Sequence, residues 1–452
     1  MKKVFVKTFG CQMNEYDSKK VLRILDKYYS ETQNVNEADL IFINTCSVRE
    51  KPEQKLYSFV GSLRSLKKKN KSLKIGVGGC VAQQEGEAII KKSKLVDFVV
   101  GTHNLSLIPA LLRNIEQGLG PQVAVDYRDE WEQLPLGYDS KDGVTAFVSI
   151  SRGCDKNCSF CIVPKTRGPE VSRPLDEILR ECRILLAQGV KEITLLGQTV
   201  NSWGKDLNPK RRFEHLLEEI LKLGSHFRLR FTSPHPQEMR SSLLDFIGRN
   251  PQLCKHLHLP LQSGSDRILR LMNRNYKIRR YLEIVEEAKS KIADLSVTTD
   301  IIVGFPEEEE SDFEETLRVM ELVQFDNSFS FVFSVRPGTK AASMPNQVPK
   351  EVASRRLQIL QELQRKLTSR RLARFINSEC EVLVEGVATK SGEGFAQGRN
   401  EQNIYCVFDV RNLPEVRAGE FVKVRVTGQN TNTLNSVVAQ FTEAGCCHSV
   451  VP

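Results

Sequence analysis

The feature that most restricts the fold of this chain is one short loop with three cysteines. Residues 151–168 read Ser-Arg-Gly-Cys-Asp-Lys-Asn-Cys-Ser-Phe-Cys-Ile-Val-Pro-Lys-Thr-Arg-Gly, so Cys154, Cys158 and Cys161 follow a C-x3-C-x2-C spacing. Three thiolates so close together can hold three corners of an iron–sulfur cube. An ordinary [4Fe–4S] cluster takes four cysteines. Three leave one iron open, as in catalytic metal sites, and a small chelating molecule can bind there. Phe160, just before the last cysteine, is placed to shield the cluster from water. Zinc is the alternative, but it wants a fourth ligand that the loop does not offer.

The loop's surroundings read as alternating strands and helices. Strand candidates are 147–150, 192–197, 228–231, 256–259, 297–303 and 328–333, with helical patterns between them. Leu175, Ile178, Leu179, Cys182, Leu185 and Leu186 make one apolar stripe ended by Gly189, so Cys182 reads as core. Six strand–helix units predict a (β/α)6 part-barrel, whose chemistry gathers at the carboxyl ends of its strands. The cysteine loop follows the first strand. Polar and glycine-rich loops follow the others, at 197–204, 232–236, 262–266 and 299–306. Together they form a face able to hold a cofactor and a substrate, with Gln198 and Asn201 as candidate cofactor contacts. His256 and His258 flank a strand and read as structural.

Residues 1–118 alternate in the same way, with strands at 4–10, 38–45, 73–79 and 96–101 and a helix over 17–29. This predicts a parallel sheet with helices on its faces. Cys11, Cys46 and Cys80 each follow a strand directly. In an open parallel sheet, ligands bind outside the carboxyl ends of the strands, so these three can meet in one crevice as a second cluster site. Gly10, Gly78 and Gly79 would let the backbone approach closely there. The alternative is three unrelated buried thiols.

Residues 119–143 carry Pro121, Pro135 and Gly137 without periodicity and read as a linker. The core domain then spans 144–375, and its last element is a long helix over 350–374. That helix bears Lys350, Arg355, Arg356, Arg365, Lys366, Arg370, Arg371 and Arg374 against Glu351 and Glu362, an excess that favours a phosphate partner. The basic run 64–74 reads in the same way, or as a solvated face. Residues 376–442 turn to five short strands at 380–387, 394–399, 403–410, 420–428 and 434–441, the pattern of a small closed barrel often used on oligonucleotides. Between Glu379 and Glu443, however, nine acids outnumber six basic residues, so charge does not support RNA binding by this module. Cys380 and Cys406 read as core, and 443–452 is a tail with Cys446, Cys447 and His448. The chain's net charge of +9, from 65 basic and 56 acidic residues, permits a nucleic-acid partner without requiring one. No run approaches the ~18 apolar residues of a membrane span, and the start lacks a signal-peptide core. The expectation is a cytoplasmic protein without membrane attachment, its cysteines serving metal ligation more than disulfides.

With both cysteine sets in view, the chain resembles the methylthiotransferases of the radical S-adenosylmethionine class from Lys3 to about Phe441. The matching stretches are Thr8-Phe9-Gly10-Cys11-Gln12-Met13-Asn14-Glu15-Tyr16-Asp17-Ser18, Asn44-Thr45-Cys46-Ser47-Val48-Arg49 and Gly78-Gly79-Cys80-Val81-Ala82-Gln83. Thr166-Arg167-Gly168, Ser172-Arg173-Pro174 and His258-Leu259-Pro260-Leu261-Gln262-Ser263-Gly264 follow. The first stretch resembles the branch acting on isopentenyladenosine in tRNA. Glu307 departs from the family's Gly after Gly304-Phe305-Pro306, and the terminal barrel is less basic than the TRAM module it resembles.

The resemblance implies two [4Fe–4S] clusters and S-adenosyl-L-methionine. Cys154, Cys158 and Cys161 would hold the cluster whose open iron the cofactor chelates, and Cys11, Cys46 and Cys80 a sulfur-carrying cluster. The target would be isopentenyladenosine at tRNA position 37. Its C2–H is neither acidic nor electrophilic, so a 5′-deoxyadenosyl radical would remove the hydrogen, with sulfur from the second cluster and methyl from another cofactor molecule. The implied partners are tRNA, an electron donor such as flavodoxin or ferredoxin, and a sulfur source. No catalytic side chain is singled out. The rivals are methylthiolation of threonylcarbamoyl-adenosine tRNA or of a ribosomal protein, and, outside enzymes, a metal-stapled RNA-binding protein.

Overall fold

The computed structural model describes residues 1–47, 50–128, 131, 143–388, 394–411 and 416–441. In chain order the first region comprises β1 (Lys2–Phe9), α1 (Gln12–Leu25), β2 (Tyr29–Glu31), β3 (Leu40–Thr45), α2 (Glu50–Ser62) and α3 (Arg64–Lys69). It continues with β4 (Lys74–Gly79), α4 (Cys80–Glu85), α5 (Glu87–Lys92), β5 (Phe98–Val100), α6 (Ile108–Glu116) and β6 (Gln122–Ala124). All six strands are parallel, in the order β2-β1-β3-β4-β5-β6. β3 is buried along its whole length because helices cover both faces, as its continuous apolar run requires. The order reverses between β1 and β3, and the crevice at such a switch point is where open sheets bind ligands. Cys11 follows β1 and Cys46 follows β3.

Two strands were not legible in the sequence. β2 and β6 have three residues each, too few for a period, and both lie at sheet edges. β6 therefore extends the sheet past residue 118, into the stretch read as a linker. The helix expected over 17–29 begins instead at Gln12, capped by Cys11, and Tyr29 already belongs to β2.

The second region opens with β7 (Thr145–Ser149), β8 (Ser151–Arg152), α7 (Val163–Arg167), β9 (Val171–Ser172), α8 (Leu175–Ala187), β10 (Glu192–Leu196) and α9 (Phe213–Leu221). β11 (Arg228–Phe231), α10 (Ser241–Arg249), β12 (His256–His258), α11 (Asp266–Leu271) and α12 (Ile278–Lys291) follow. β13 (Ser296–Val303), α13 (Glu310–Val323), β14 (Asn327–Val332) and α14 (Lys350–Ala373) complete it. β7, β10 and β11 pair in parallel, as do β12, β13 and β14. A parallel bridge between Leu229 and Leu253 joins the halves into an open part-barrel. The stripe around Ile178, Cys182 and Leu185 packs into its core as read. Glu307 has φ 70, a left-handed conformation that glycine adopts without strain.

The last five strands are β15 (Glu379–Ala388), β16 (Phe395–Asn400), β17 (Tyr405–Asp409), β18 (Phe421–Gln429) and β19 (Thr433–Phe441). They close into a barrel, ordered β15-β16-β17-β19-β18, with Cys406 in its core and Cys380 packed against it. Arg228 and Arg230 of β11 fasten this barrel to the larger domain. Arg228 donates to the carbonyls of Arg399 and Glu381, and buried Arg230, held by Glu192 of β10 at 2.9 and 3.1 Å, donates to the carbonyls of Asn400 and Glu401 at 3.4 Å. Cys446, Cys447 and His448 lie outside the described residues. No helix among the described residues is long and apolar enough to cross a membrane.

Candidate functional site

The first triad is assembled by strand ends and close backbone approach. Cys11 caps α1, its thiol donating to Asn14 Oδ1 at 3.2 Å. Asn14 donates in turn to Asn44 Oδ1 at 3.0 Å, and Asn44 donates back to the Asn14 carbonyl at 2.8 Å. This amide pair ties the end of β3 to the start of α1, and so Cys46 to Cys11. Gly79, at φ 91, lets Cys80 join them, since a Cβ there would lie 2.3 Å from Asn44 Oδ1 and 2.5 Å from the Thr45 carbonyl.

Cys46 lies within hydrogen-bonding reach of both Cys11 and Cys80. The Cys46 S–H lowers Cys11 to about 7 and Cys80 to about 6, while Cys46 itself is raised well above the ordinary thiol value. Arg167 contributes to both lowered values. Its guanidinium comes from α7, immediately past the cysteine loop of the other domain. It hydrogen-bonds Cys80 and pairs with Asp17 at 2.7 Å, both residues being buried. Thiolates are the form that binds metal. Sequence reading quoted Asp17 and Arg167 only as parts of matching stretches.

The second triad sits on the loop between β8 and α7. The loop closes through Cys154 N–H donating to the Gly168 carbonyl at 3.0 Å. Gly153, at φ 72, permits the closure, since a Cβ there would lie 1.9 Å from the Pro169 carbonyl oxygen. Cys154 Sγ accepts from the Lys156 N–H at 3.4 Å and lies 3.6 Å from Thr199 Oγ1. Cys158 Sγ accepts from Arg274 Nη1 at 3.4 Å. Burial pushes the Cys161 thiol up to about 12, so its ionisation needs a nearby positive charge such as a bound metal. Phe160 packs edge-on to Phe305 with ring centres 6.4 Å apart, in an apolar cluster with Ile268, Met272 and Phe333.

The polar loop after β10 divides its two candidates. Gln198 Oε1 is buried and has no hydrogen-bond partner among the described residues. Asn201 uses both ends of its amide on the backbone of His235, accepting at 2.8 Å and donating at 3.1 Å. Asn201, a candidate cofactor contact in the sequence, thereby clamps the loop after β11. His256 and His258 both meet Thr298 Oγ1, at 2.8 and 2.9 Å, and His258 also meets Asp300 at 3.3 Å.

Beside Arg167 lies a cavity of about 170 Å³, with Asp17, Arg152 and Arg173 also in its wall. The phosphate reading of α14 weakens in the structure. Arg356 is buried on Glu308 and Glu310, Arg371 and Arg374 pair with Asp326, and Arg365 and Lys366 lie by Glu362. In the run 64–74, Lys67 pairs with Asp97.

Residues 3–101 match the uncharacterized protein family UPF0004, residues 148–320 the radical SAM superfamily and residues 373–439 the TRAM domain. Over 443 residues the chain is 44% identical to the tRNA-2-methylthio-N(6)-dimethylallyladenosine synthase of Geobacter metallireducens, covering 97% of this chain and 99% of that one. The protein of the same name from Aquifex aeolicus is 42% identical over 431 residues, covering 94% and 96%. Among solved structures, the radical S-adenosylmethionine methyltransferase TsrM from Kitasatospora setae, with cobalamin and a [4Fe-4S] cluster bound, superposes with a TM-score of 0.55. The match spans 76% of this chain and 74% of that one at 13% identity, a likeness of fold alone.

Proposed function

Because the chain belongs to the tRNA-2-methylthio-N(6)-dimethylallyladenosine synthase family, we propose that it converts N6-isopentenyladenosine beside the tRNA anticodon to its 2-methylthio derivative. The observation that carries this reading is the contact across a domain boundary by which Arg167, on the helix that leaves one cysteine triad, reaches the thiols of the other.

The donor sets fit two [4Fe–4S] clusters and S-adenosyl-L-methionine. Each triad offers three thiols, which leaves one iron of a cubane open. Gln198, next to the residue that touches Cys154, keeps a buried oxygen unpaired. We assign Cys154, Cys158 and Cys161 to the cluster that takes the cofactor, Gln198 to the cofactor, and Cys11, Cys46 and Cys80 to the sulfur-carrying cluster. When bound, these groups supply radical hydrogen removal at adenine C2, sulfur insertion and methyl transfer, for which no side chain is equipped.

The chain's own residues position and protect. Arg274 and the Lys156 N–H donate to sulfurs of the loop triad, and hydrogen bonds to ligand sulfurs tune such centres. Phe160 and its apolar neighbours keep water from one side of the loop. Asn201 holds the loop after β11 in register with the loop after β10. The adenosine stands in a single-stranded loop, where splaying out a base costs little. An electron donor of flavodoxin or ferredoxin type and a sulfur source complete the partners, and the tRNA substrate sets the work in the cytoplasm.

Two triple variants test the assignment. Anaerobically reconstituted protein should hold about eight irons, four per cubane, and each triple Cys→Ala variant about half. The variant lacking Cys11, Cys46 and Cys80 should still release 5′-deoxyadenosine under a strong reductant but form no methylthio-adenosine in tRNA. The variant lacking Cys154, Cys158 and Cys161 should do neither. Methylthiolated tRNA from the first variant, folded by circular dichroism, overturns the sulfur assignment. Product mass on a ribosomal protein instead of tRNA overturns the substrate.

A further inference from the structure

A polyanion bound at the barrel face needs cations on that face that the fold has not already paired. Most of those on α14 and the terminal barrel fail that test, and the run 64–74, where Arg64, Lys68, Lys69 and Lys71 make no ion pair with a described residue, belongs to the first domain. On α14, Arg356, Arg371 and Arg374 are committed to buried acids, and Arg365 and Lys366 share Glu362. On the terminal barrel, Arg399 pairs with Glu385, Arg411 with Asp409 and Arg425 with Glu379.

The loop from Gly197 to Phe213 differs. Its base is fixed at several points. Trp203 is buried and donates from Nε1 to the Arg173 carbonyl at 3.0 Å, and Gly204 N–H donates to Ser172 Oγ at 2.8 Å. Arg211 N–H donates to the Gly204 carbonyl at 2.9 Å, pinching the tip. Lys205 Nζ meets Glu238 at 2.5 Å, and the same carboxylate takes Lys156 Nζ of the cysteine loop at 2.5 Å. Lys205, Arg212 and Arg240 line one groove with Glu238, and Lys210 and Arg212 line the next. A basic strip thus runs from the cysteine loop outward over the ends of α9 and α10. Its acids have partners of their own, Glu218 with Lys222 among them. Asp206 accepts from the Ser172 N–H, Glu214 from Ser242 Oγ, and Glu238 holds two lysines. Lys210, Arg212 and Arg240 are exposed and make no ion pair with a described residue.

We propose that Lys210, Arg212 and Arg240 form a docking strip for the phosphodiester backbone of looped RNA, seating the substrate on the strand-end face. The proposal rests on the tRNA reading above and adds to it the surface that holds the backbone. Phosphate contacts set register and orientation without reading bases, which suits an enzyme whose target base is splayed out of its loop. The strip starts at Lys156, two residues from Cys154, so a backbone held along it keeps a flipped base beside the triad. An acidic redox protein is the competing occupant of such a surface. Three cations without ion pairs, two on a braced loop and one at the start of α10, match successive phosphates better than they match a folded protein's face.

The test compares two neutralised full-length, reconstituted proteins of equal charge change. One carries Lys210→Gln, Arg212→Gln and Arg240→Gln, the other Arg365→Gln, Lys366→Gln and Arg370→Gln on α14. Affinity for isopentenylated tRNA lacking the methylthio group is measured across 50 to 200 mM salt. The loop variant should bind at least ~10-fold more weakly, with a salt slope reduced by roughly 2, from about 0.7–0.9 per lost phosphate contact. The α14 variant should stay within about twofold, and both should keep wild-type iron content and circular dichroism. Equal losses in both variants, or none, overturn the strip alone. Unchanged tRNA affinity with slower reduction by flavodoxin assigns the surface to the electron donor and also overturns it. A wild-type protein that does not bind this tRNA overturns the functional reading itself.

Discussion

Arg167→Met is the most informative single change outside the cysteines. It keeps the volume, removes the charge and strands two groups at once. Asp17, 8% exposed, loses its partner at 2.7 Å, and Cys80 loses a hydrogen-bonding cation. Removing one member of a buried pair costs about 3–5 kcal/mol, since the remaining charge stays desolvated. The thiol part has its own pH signature. Cys80 is lowered from 9.0 to about 6, so its contribution is present above pH 9 and is lost as pH falls through 6. Arg167 is a lesser cause of that shift than the Cys46 S–H, so only a fraction of the titrating part goes with it. The penalty in metal-free protein should therefore hold a constant part from Asp17 and a smaller part that fades between pH 9 and 6. A chain of several domains has no single unfolding free energy. The assay is therefore hydrogen exchange at α1 and α7, where ~3 kcal/mol appears as exchange about 10²-fold faster. Asp17→Asn added to Arg167→Met should recover most of the loss. A double variant no better protected than the single one, or a penalty flat across pH, refutes the reasoning.

Gly153→Ala places a Cβ 1.9 Å from the Pro169 carbonyl at φ 72, so the loop triad should fail to close and reconstituted iron should fall by about half, with the other cluster retained. Glu170 is raised to about 7, chiefly by burial and then by Asp155, so its neutral form favours folding. That stability is complete below pH 4.5 and is lost as pH rises through 7, an effect of about 1–2 kcal/mol after allowance for partial exposure. Glu170→Gln should flatten the pH dependence of hydrogen-exchange protection around residue 170 between pH 5 and 8, and an unchanged slope counts against a buried acid.

What the sequence discloses here is local. Cys154, Cys158 and Cys161 share one loop, so spacing alone groups them. Cys11, Cys46 and Cys80 are far apart in the chain, and only the regularity of strand–helix units brings them to adjacent strand ends. The three-residue strands β2 and β6 carry no period, and their pairing is decided by the neighbouring edge and not by their own residues. Charge counting fails on α14 for the same reason. Eight cations on a helix look free until Asp326, Glu308 and Glu310, distant in sequence, are folded against four of them, Arg355, Arg356, Arg371 and Arg374.

The partnership of Asp17 with Arg167 spans 150 residues and two domains, and no window of sequence contains it. Its origin is nonetheless simple. α7 begins two residues after Cys161, so the chain leaving the loop triad must turn at once into a helix. That helix lies against α4, which starts at Cys80. Thr102 Oγ1, in the loop after β5, donates to the Thr166 carbonyl at 2.7 Å and fixes the last turn of α7. The next residue, Arg167, then has the thiols of the other domain as its polar surroundings. Any sequence that closes the cysteine loop and keeps this docking presents position 167 to the triad of Cys11, Cys46 and Cys80. A cation there offsets the charge of buried thiolates, whereas an apolar side chain leaves them uncompensated. One short helix therefore ties the position of one triad to the electrostatics of the other.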